Sequence, residues 1–248
     1  VLMSRGGPDS TIIDCGGDET AFHISHGTDT TLQIIGFNII NGWAQDSQSG
    51  GAISIEGYNS GQGPTKSQAI FKNCIIEDNG GYNAAVYIEG GVGIFRDCVV
   101  RNNKREYDGN WNILLGSALY VSSQNFGDGG GYNVGILELD RCKVLSNFID
   151  NGSDPMLNNS GIGLMVNQGL AFISNSVIAD NYFIGSASSS LGTGITIENG
   201  GITLINSTVS GNQGVSGNYG SGLLVNNNWN DLPDWHGQFS RDVIILNS

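Results

Sequence analysis

Two short hydrophobic patterns alternate along the chain. The first reads apolar-x-apolar-x-polar-[Cys/Ser]-x-apolar-x-x-Asn. It recurs as IFKNCIIEDN (70–79), IFRDCVVRNN (94–103), ELDRCKVLSN (138–147), FISNSVIADN (172–181) and TLINSTVSGN (203–212). A looser copy, LQIIGFNIIN (32–41), sits one residue out of register. The second pattern is a small residue followed by apolar-x-apolar: AISI (52–55), AVYI (85–88), ALYV (118–121), GLMV (163–166), GITI (194–197) and GLLV (222–225). Period-two alternation marks strands, and it places Ile53/Ile55, Val86/Ile88, Leu119/Val121, Leu164/Val166, Ile195/Ile197 and Leu223/Val225 on one face.

In the first pattern Phe71, Phe95, Leu139, Ile173 and Leu204 point inward, and so do Cys74, Cys98, Cys142, Ser176 and Ser207 three residues later. An odd offset between two inward positions demands a bend, which falls at the polar column Asn73, Asp97, Arg141, Asn175 and Asn206. The closing asparagines, at 41, 79, 103, 147, 181 and 212, are separated by 38, 24, 44, 34 and 31 residues. A constant motif at a variable step means fixed strands joined by loops of unequal length.

These patterns predict an all-β chain: one domain over 1–248, a right-handed parallel β-helix (β-solenoid) of about seven to eight coils, with three short strands per coil. Stacked at ~4.8 Å, the coils make a rod of roughly 35–40 Å with one continuous apolar column. A β-propeller is the alternative, but blades need antiparallel hairpins and the chain lacks regular NG or DG loops. The ends, VLMS and the strand-like 243–246, carry no polar cap, so the chain reads as a segment of a longer protein.

Composition narrows the picture. Thirty-nine glycines and many asparagines favour a chain that turns often, and no window shows clean helical spacing. The formal net charge is −13, with ten scattered Lys and Arg, which speaks against nucleic acid as a partner. No apolar run is long enough for membrane insertion. An acidic, Asn/Ser/Gly-rich surface suits an extracellular or cell-surface protein. Four cysteines, Cys15, Cys74, Cys98 and Cys142, match no zinc spacing, and the last three are expected to be buried free thiols in one column.

The motifs GGAI (50–53) and FISN (172–175) resemble the GGA[ILV] and FxxN repeats of the chlamydial polymorphic outer-membrane proteins. More broadly, the chain is similar to the pectin-lyase-like right-handed β-helices of secreted surface proteins, and GPDSTIID (7–14) is similar to their first coil. The resemblance covers nearly all of the chain, but Phe71 and Phe95 are followed by Cys at the fourth place, a departure from FxxN. It implies a fold rather than an activity.

The resemblance also implies where an enzyme of this kind carries substrate groups, on the outward face of the third strand. That column is Ser54, Tyr87, Tyr120, Met165, Thr196 and Leu224, with no acid, base or metal ligand. It is expected to be a flat interaction face, centred on Tyr87 and Tyr120, open to a partner or a covering loop. The next outward column, Glu56, Glu89, Ser122, Asn167, Glu198 and Asn226, pairs Glu56 with Glu89 on neighbouring coils. Paired carboxylates serve glycoside hydrolysis or bind Ca²⁺, although a solvated edge is the plainer expectation. The aspartate signatures and catalytic Arg or Lys of the polygalacturonase and pectate-lyase families have no counterpart here.

The loops after the closing asparagines gather aromatics: Trp43, Tyr82, Tyr107, Trp111, Phe148, Tyr182, Phe183 and Tyr219. The longest, 104–116 (KREYDGNWNILLG), brings Arg105, Tyr107, Asp108 and Trp111 together, and 226–239 on the opposite edge carries Trp229 and Trp235. Rings beside polar groups suit sugar stacking or a protein contact; equally, they fold down to cover a sheet. Arg101, Lys104 and Arg105 with Asp108 would be the lyase-like set. His23, His26 and His236 are too scattered for a metal site. Asn151, Asn158 and Asn206 head N-glycosylation sequons.

The expected function is thus a non-catalytic structural or adhesive β-helix that binds other protein chains or glycans of an extracellular assembly. Its ligand contacts would be Tyr107, Asp108, Trp111, Trp229 and Trp235, with no required cofactor. The alternative is a polysaccharide lyase or glycoside hydrolase using Glu56 and Glu89 or Arg105 and Asp108.

Overall fold

The computed structural model describes residues 1–29, 32–45, 49–59, 64–106, 116–125, 132–150, 158–184, 189–214, 222–226 and 242–247. Among them every helix or strand is a β-strand, and three long ladders are parallel throughout. The first runs Leu2–Met3, Gln33–Ile35, Gln68–Lys72, Val92–Arg96, Ile136–Asp140, Leu170–Ser174, Gly201–Ile205 and Val243–Leu246. The second runs Ile12–Asp14, Asn38–Ile40, Ile75–Glu77, Val99–Arg101, Lys143–Leu145, Val177–Ala179 and Thr208–Ser210. The third runs Phe22–Ile24, Ile53–Glu56, Val86–Glu89, Leu119–Ser122, Leu164–Asn167, Ile195–Glu198 and Leu223–Asn226. The chain visits the ladders in cyclic order and returns one rung further on each time, the pattern of a solenoid. Among the described residues, antiparallel pairing is limited to two small hairpins, Tyr58–Asn59 with Pro64–Thr65 and Gln124–Asn125 with Tyr132–Asn133, and one isolated bridge between Glu56 and Gly90, which removes the propeller.

A further short ladder lies between the second and the third, so three strands per coil is too few. It is made of two separate parallel sheets in line, Trp43–Ala44 paired with Gly80–Gly81, and Lys104–Glu106 with Phe148–Asp150 and Tyr182–Ile184. Residues 104–106 are therefore strand, where the sequence suggests the start of a loop.

The inward columns form one apolar interior. Phe71 and Phe95 stack with centroids 5.0 Å apart, and Phe22 meets Phe71 edge-on. Around them pack Ile53, Ile55, Val86, Ile88, Leu119 and their successors on later rungs. Cys74, Cys98 and Cys142 are buried and free. Each thiol donates to the carbonyl two residues before it, and Ser176 and Ser207 repeat that bond with hydroxyls.

The bends are made by residues in the left-handed region. Asn73, Asp97, Arg141, Asn175 and Asn206 have φ of 47°, 56°, 54°, 52° and 49°. At the next corner Asn41, Asp78, Asn102, Ser146 and Asp180 have φ between 54° and 56°. Asn and Asp dominate both columns because a short polar side chain tolerates this conformation best after glycine.

Immediately after that second corner the asparagine ladder begins. The Oδ1 of Asn103 accepts from the backbone N–H and the Nδ2 of Asn79; Asn147, Asn181 and Asn212 repeat this on the rungs that follow. Each Nδ2 also donates to a carbonyl one rung back, Asn79 to Ile39, Asn103 to Ile76 and Asn147 to Val100. Every buried amide is thus used on both sides, as burial of polar groups requires. Asn41 is not a member. The register places Gly42 opposite Asn79, and the Gly42 N–H donates to Asn79 Oδ1 at 2.8 Å. A side chain on Gly42 would collide with the Gly51 carbonyl and with Asn79 Oδ1, so the rung is capped by a backbone N–H instead.

Candidate functional site

The outward column of the third ladder is closed. Tyr87 and Tyr120 stack at 5.3 Å, yet they are only 4% and 6% exposed, and Met165 is fully buried beside them. The described chain entering four of the third-ladder strands lies back against the ladder. The Gly50 N–H donates to Ser54 Oγ, Thr196 Oγ1 donates to the Gly192 carbonyl, and Gly116 and Gly161 lie against the strands that carry Tyr120 and Met165. Of the two occupants expected for the Tyr87 and Tyr120 face, a partner or a covering loop, the structure has the chain itself lying against it.

Glu56 and Glu89 are partners in register on adjacent rungs. Glu56 faces His23, with Oε1 3.7 Å from Nδ1. Burial pushes the Glu89 carboxyl above its ordinary range, a hydrogen bond from Tyr87 opposes this, and the Glu56 charge adds to the rise. Neither glutamate lines a described groove. Among the described residues, no group of three or more His, Cys, Asp or Glu is arranged to hold a metal.

The basic residues expected near Asp108 are occupied elsewhere. Arg101 Nε donates to Glu77 Oε2 at 2.6 Å, and Lys104 Nζ lies 3.5 Å from Asp150. Arg105 is 4% exposed and points inward, its Nε donating to the Tyr82 carbonyl. Tyr107, Asp108, Trp111, Trp229, Trp235 and Asn151 lie outside the described residues. Asn158 opens a short parallel strand pair, and Asn206 occupies an exposed left-handed bend.

An open groove of about 780 Å³ runs beside the short ladder. One wall is the exposed corner row Asn41, Asp78 and Asn102, with Asp14 at one end. The other wall is the outward column Trp43, Lys104, Phe148 and Tyr182, all half-buried. The floor is backbone at buried Gly42 and Gly80 together with Asn79, and the exposed Gly16 and Gly17 stand at the Asp14 end. Trp43 leans across the next rung because Gly80 has no side chain there, and Tyr82 meets the indole edge-on at 6.3 Å. Phe148 and Tyr182 stack at 5.3 Å with an interplanar angle of 11°.

The polar wall is rich in acceptors. Asp14 Oδ1 accepts from Asn41 Nδ2 and the Gly16 N–H, and these bonds hold its carboxyl below the usual range. Burial raises Asp78, the Glu77 charge adds to it, and Arg101 pulls the other way. No family model matches the chain, and no curated protein or solved structure matches it. The groove is consequently read from its own chemistry.

Trp43, Phe148 and Tyr182 are three of the aromatics that follow the closing asparagines in the sequence. Asp14 and Asp78 are not among the residues that the sequence marks as a site, and Lys104, expected beside Asp108, lines this groove instead. The signal for Asp78 and Asn102 was the residue just before each ladder asparagine. A second open depression of about 420 Å³ lies on the outward face of the first ladder, where Phe172 is 44% exposed between Arg96, Glu138 and Asp140.

Proposed function

We propose that the chain is an extracellular, right-handed parallel β-helix of the pectin-lyase-like kind, serving as a rigid, non-catalytic scaffold that binds a partner molecule in its aromatic groove. The observation that carries this reading is the groove itself: three half-buried rings face an acceptor-rich corner row across about 780 Å³, within the size range of ligand sites. The cyclic parallel ladders and the asparagine ladder support the helix. The acidic, weakly charged composition supports the extracellular setting. The covered third-ladder face and the absence of Glu56 and Glu89 from either groove favour binding over cleavage.

Surface plasmon resonance against a panel of glycans and extracellular matrix proteins tests the reading. At least one partner is expected to bind the wild type and to be weakened by Trp43→Ala, with Phe172→Ala unchanged. Binding that ignores Trp43 would refute the groove, and release of reducing ends from any polysaccharide would refute the non-catalytic part.

A further inference from the structure

The groove carries a mixed charge pattern that selects among ligand classes. Two carboxylates, Asp14 and Asp78, stand on one wall, and the protein as a whole carries −13. A polyanion such as a uronic-acid chain meets like charge at both. A strongly basic peptide meets Lys104, already paired with Asp150, in the middle of the other wall, and beyond Asp14 and Asp78 the lining offers its charges no further carboxylate. Carboxylates only accept hydrogen bonds when ionised, and the amides of Asn41 and Asn102 offer further acceptors. The complementary ligand is therefore uncharged, rich in hydroxyl donors, and apolar on the side that meets Trp43, Phe148 and Tyr182. A pyranose has that composition, with hydroxyls at its rim and C–H groups on its faces.

Size points the same way. From the rung of Asp14 to that of Tyr182 the lining crosses about five rungs, roughly 24 Å at ~4.8 Å each, longer than a single sugar. Resting on the groove reading, we infer that the groove holds a neutral oligosaccharide or polysaccharide segment. Its hydroxyls are held by Asp14, Asp78 and Asn102, and its apolar faces rest on Trp43, Phe148 and Tyr182.

The test is isothermal titration of the full chain with cellohexaose, mannohexaose and N-acetylchitohexaose, beside hexagalacturonate and hexalysine as charged probes. Wild type, Trp43→Ala, Tyr182→Ala and Asp78→Asn are compared, with circular dichroism melts to show that each folds. Tyr182 lies at the open rim, so its variant keeps the test alive if Trp43→Ala destabilises the groove. At least one neutral hexasaccharide is expected to bind, with affinity falling roughly tenfold in Trp43→Ala and Tyr182→Ala, the scale of one lost ring contact. Hexagalacturonate is expected to bind more weakly than the neutral ligand and to gain affinity in Asp78→Asn. Ring-dependent binding of hexagalacturonate or hexalysine in preference to every neutral probe would overturn the ligand class and leave the groove standing. Binding indifferent to both rings, or no binding at all, would overturn the class, and indifference would take the groove reading with it.

Discussion

The Trp43 ring occupies the space left by the missing side chain of Gly80: a Cβ built there would stand 2.8 Å from Trp43 Cζ3. The two residues are register partners on adjacent rungs, so the shape of the groove depends on this pair. Gly80→Ala is expected to lift the indole, lower stability by about 1–2 kcal/mol through overpacking, and weaken groove binding. Indole N–H chemical shifts and a thermal melt, read together, check both effects.

The asparagine ladder makes a sharper stability prediction. Asn147→Ala removes the acceptor for the Asn103 N–H and Nδ2, and the donor to Val100 and Asn181. Several buried polar groups lose partners, so the cost is about 3–5 kcal/mol. Asn41 lies outside the ladder, at an exposed left-handed bend, and Asn41→Gly keeps that backbone accessible, costing less than about 1 kcal/mol. Urea unfolding of the two variants should separate them clearly.

The cysteine column shows its own tolerance. Ser176 and Ser207 already occupy the same place on later rungs and make the same bond to the carbonyl two residues back. Cys142→Ser is accordingly expected to stay within about 1 kcal/mol of wild type, and Cys142→Leu to cost about 2–3 kcal/mol by overpacking. Denaturant midpoints measure both. A thiol reagent under native conditions should label Cys15 first, because it alone is partly exposed.

Stability should also respond to pH through Glu89. Burial raises its folded-state pKa above the ordinary value of 4.5. The folded chain then holds this proton more tightly than the unfolded chain. The contribution is fully present below pH 4.5 and is lost as pH rises through the higher folded value. Glu89→Gln removes the cost of charging a half-buried carboxyl, and should stabilise the chain at pH 7 by on the order of 1 kcal/mol. Melting curves from pH 4 to 8 should show wild type and variant converging at the acid end.

Much of this fold was legible in the sequence, for a physical reason. A stacked coil repeats its inward residues because each rung meets the same neighbours, so Phe71, Cys74 and Asn79 reveal themselves by recurring on later rungs. The bend at Asn73, Asp97 and Arg141 was legible from the odd offset between inward positions. The short ladder was not, since its outward column runs Trp43, Gly80, Lys104, Phe148 and Tyr182 with no shared residue type. Burial of Tyr87 and Tyr120 was hidden too, because period-two alternation assigns them to the outward face without saying what lies over that face. Asn41 looked like a ladder member only because the register of its coil is shifted by one, with Gly42 at the capping position. Asp14 escaped notice as a site residue because the groove gathers it from a rung where neither motif is complete.

A ligand resting on Trp43 changes the surroundings of that indole, so its emission reports binding. A variant with Trp111, Trp229 and Trp235 replaced by phenylalanine keeps Trp43 as the sole indole. Titrated with the neutral hexasaccharide that binds the wild type, its emission should shift with a midpoint equal to the calorimetric one, and Tyr182→Ala in this background should move that midpoint upward roughly tenfold. Saturable binding by calorimetry with unchanged Trp43 emission, and no effect of Tyr182→Ala, would place the ligand away from this groove.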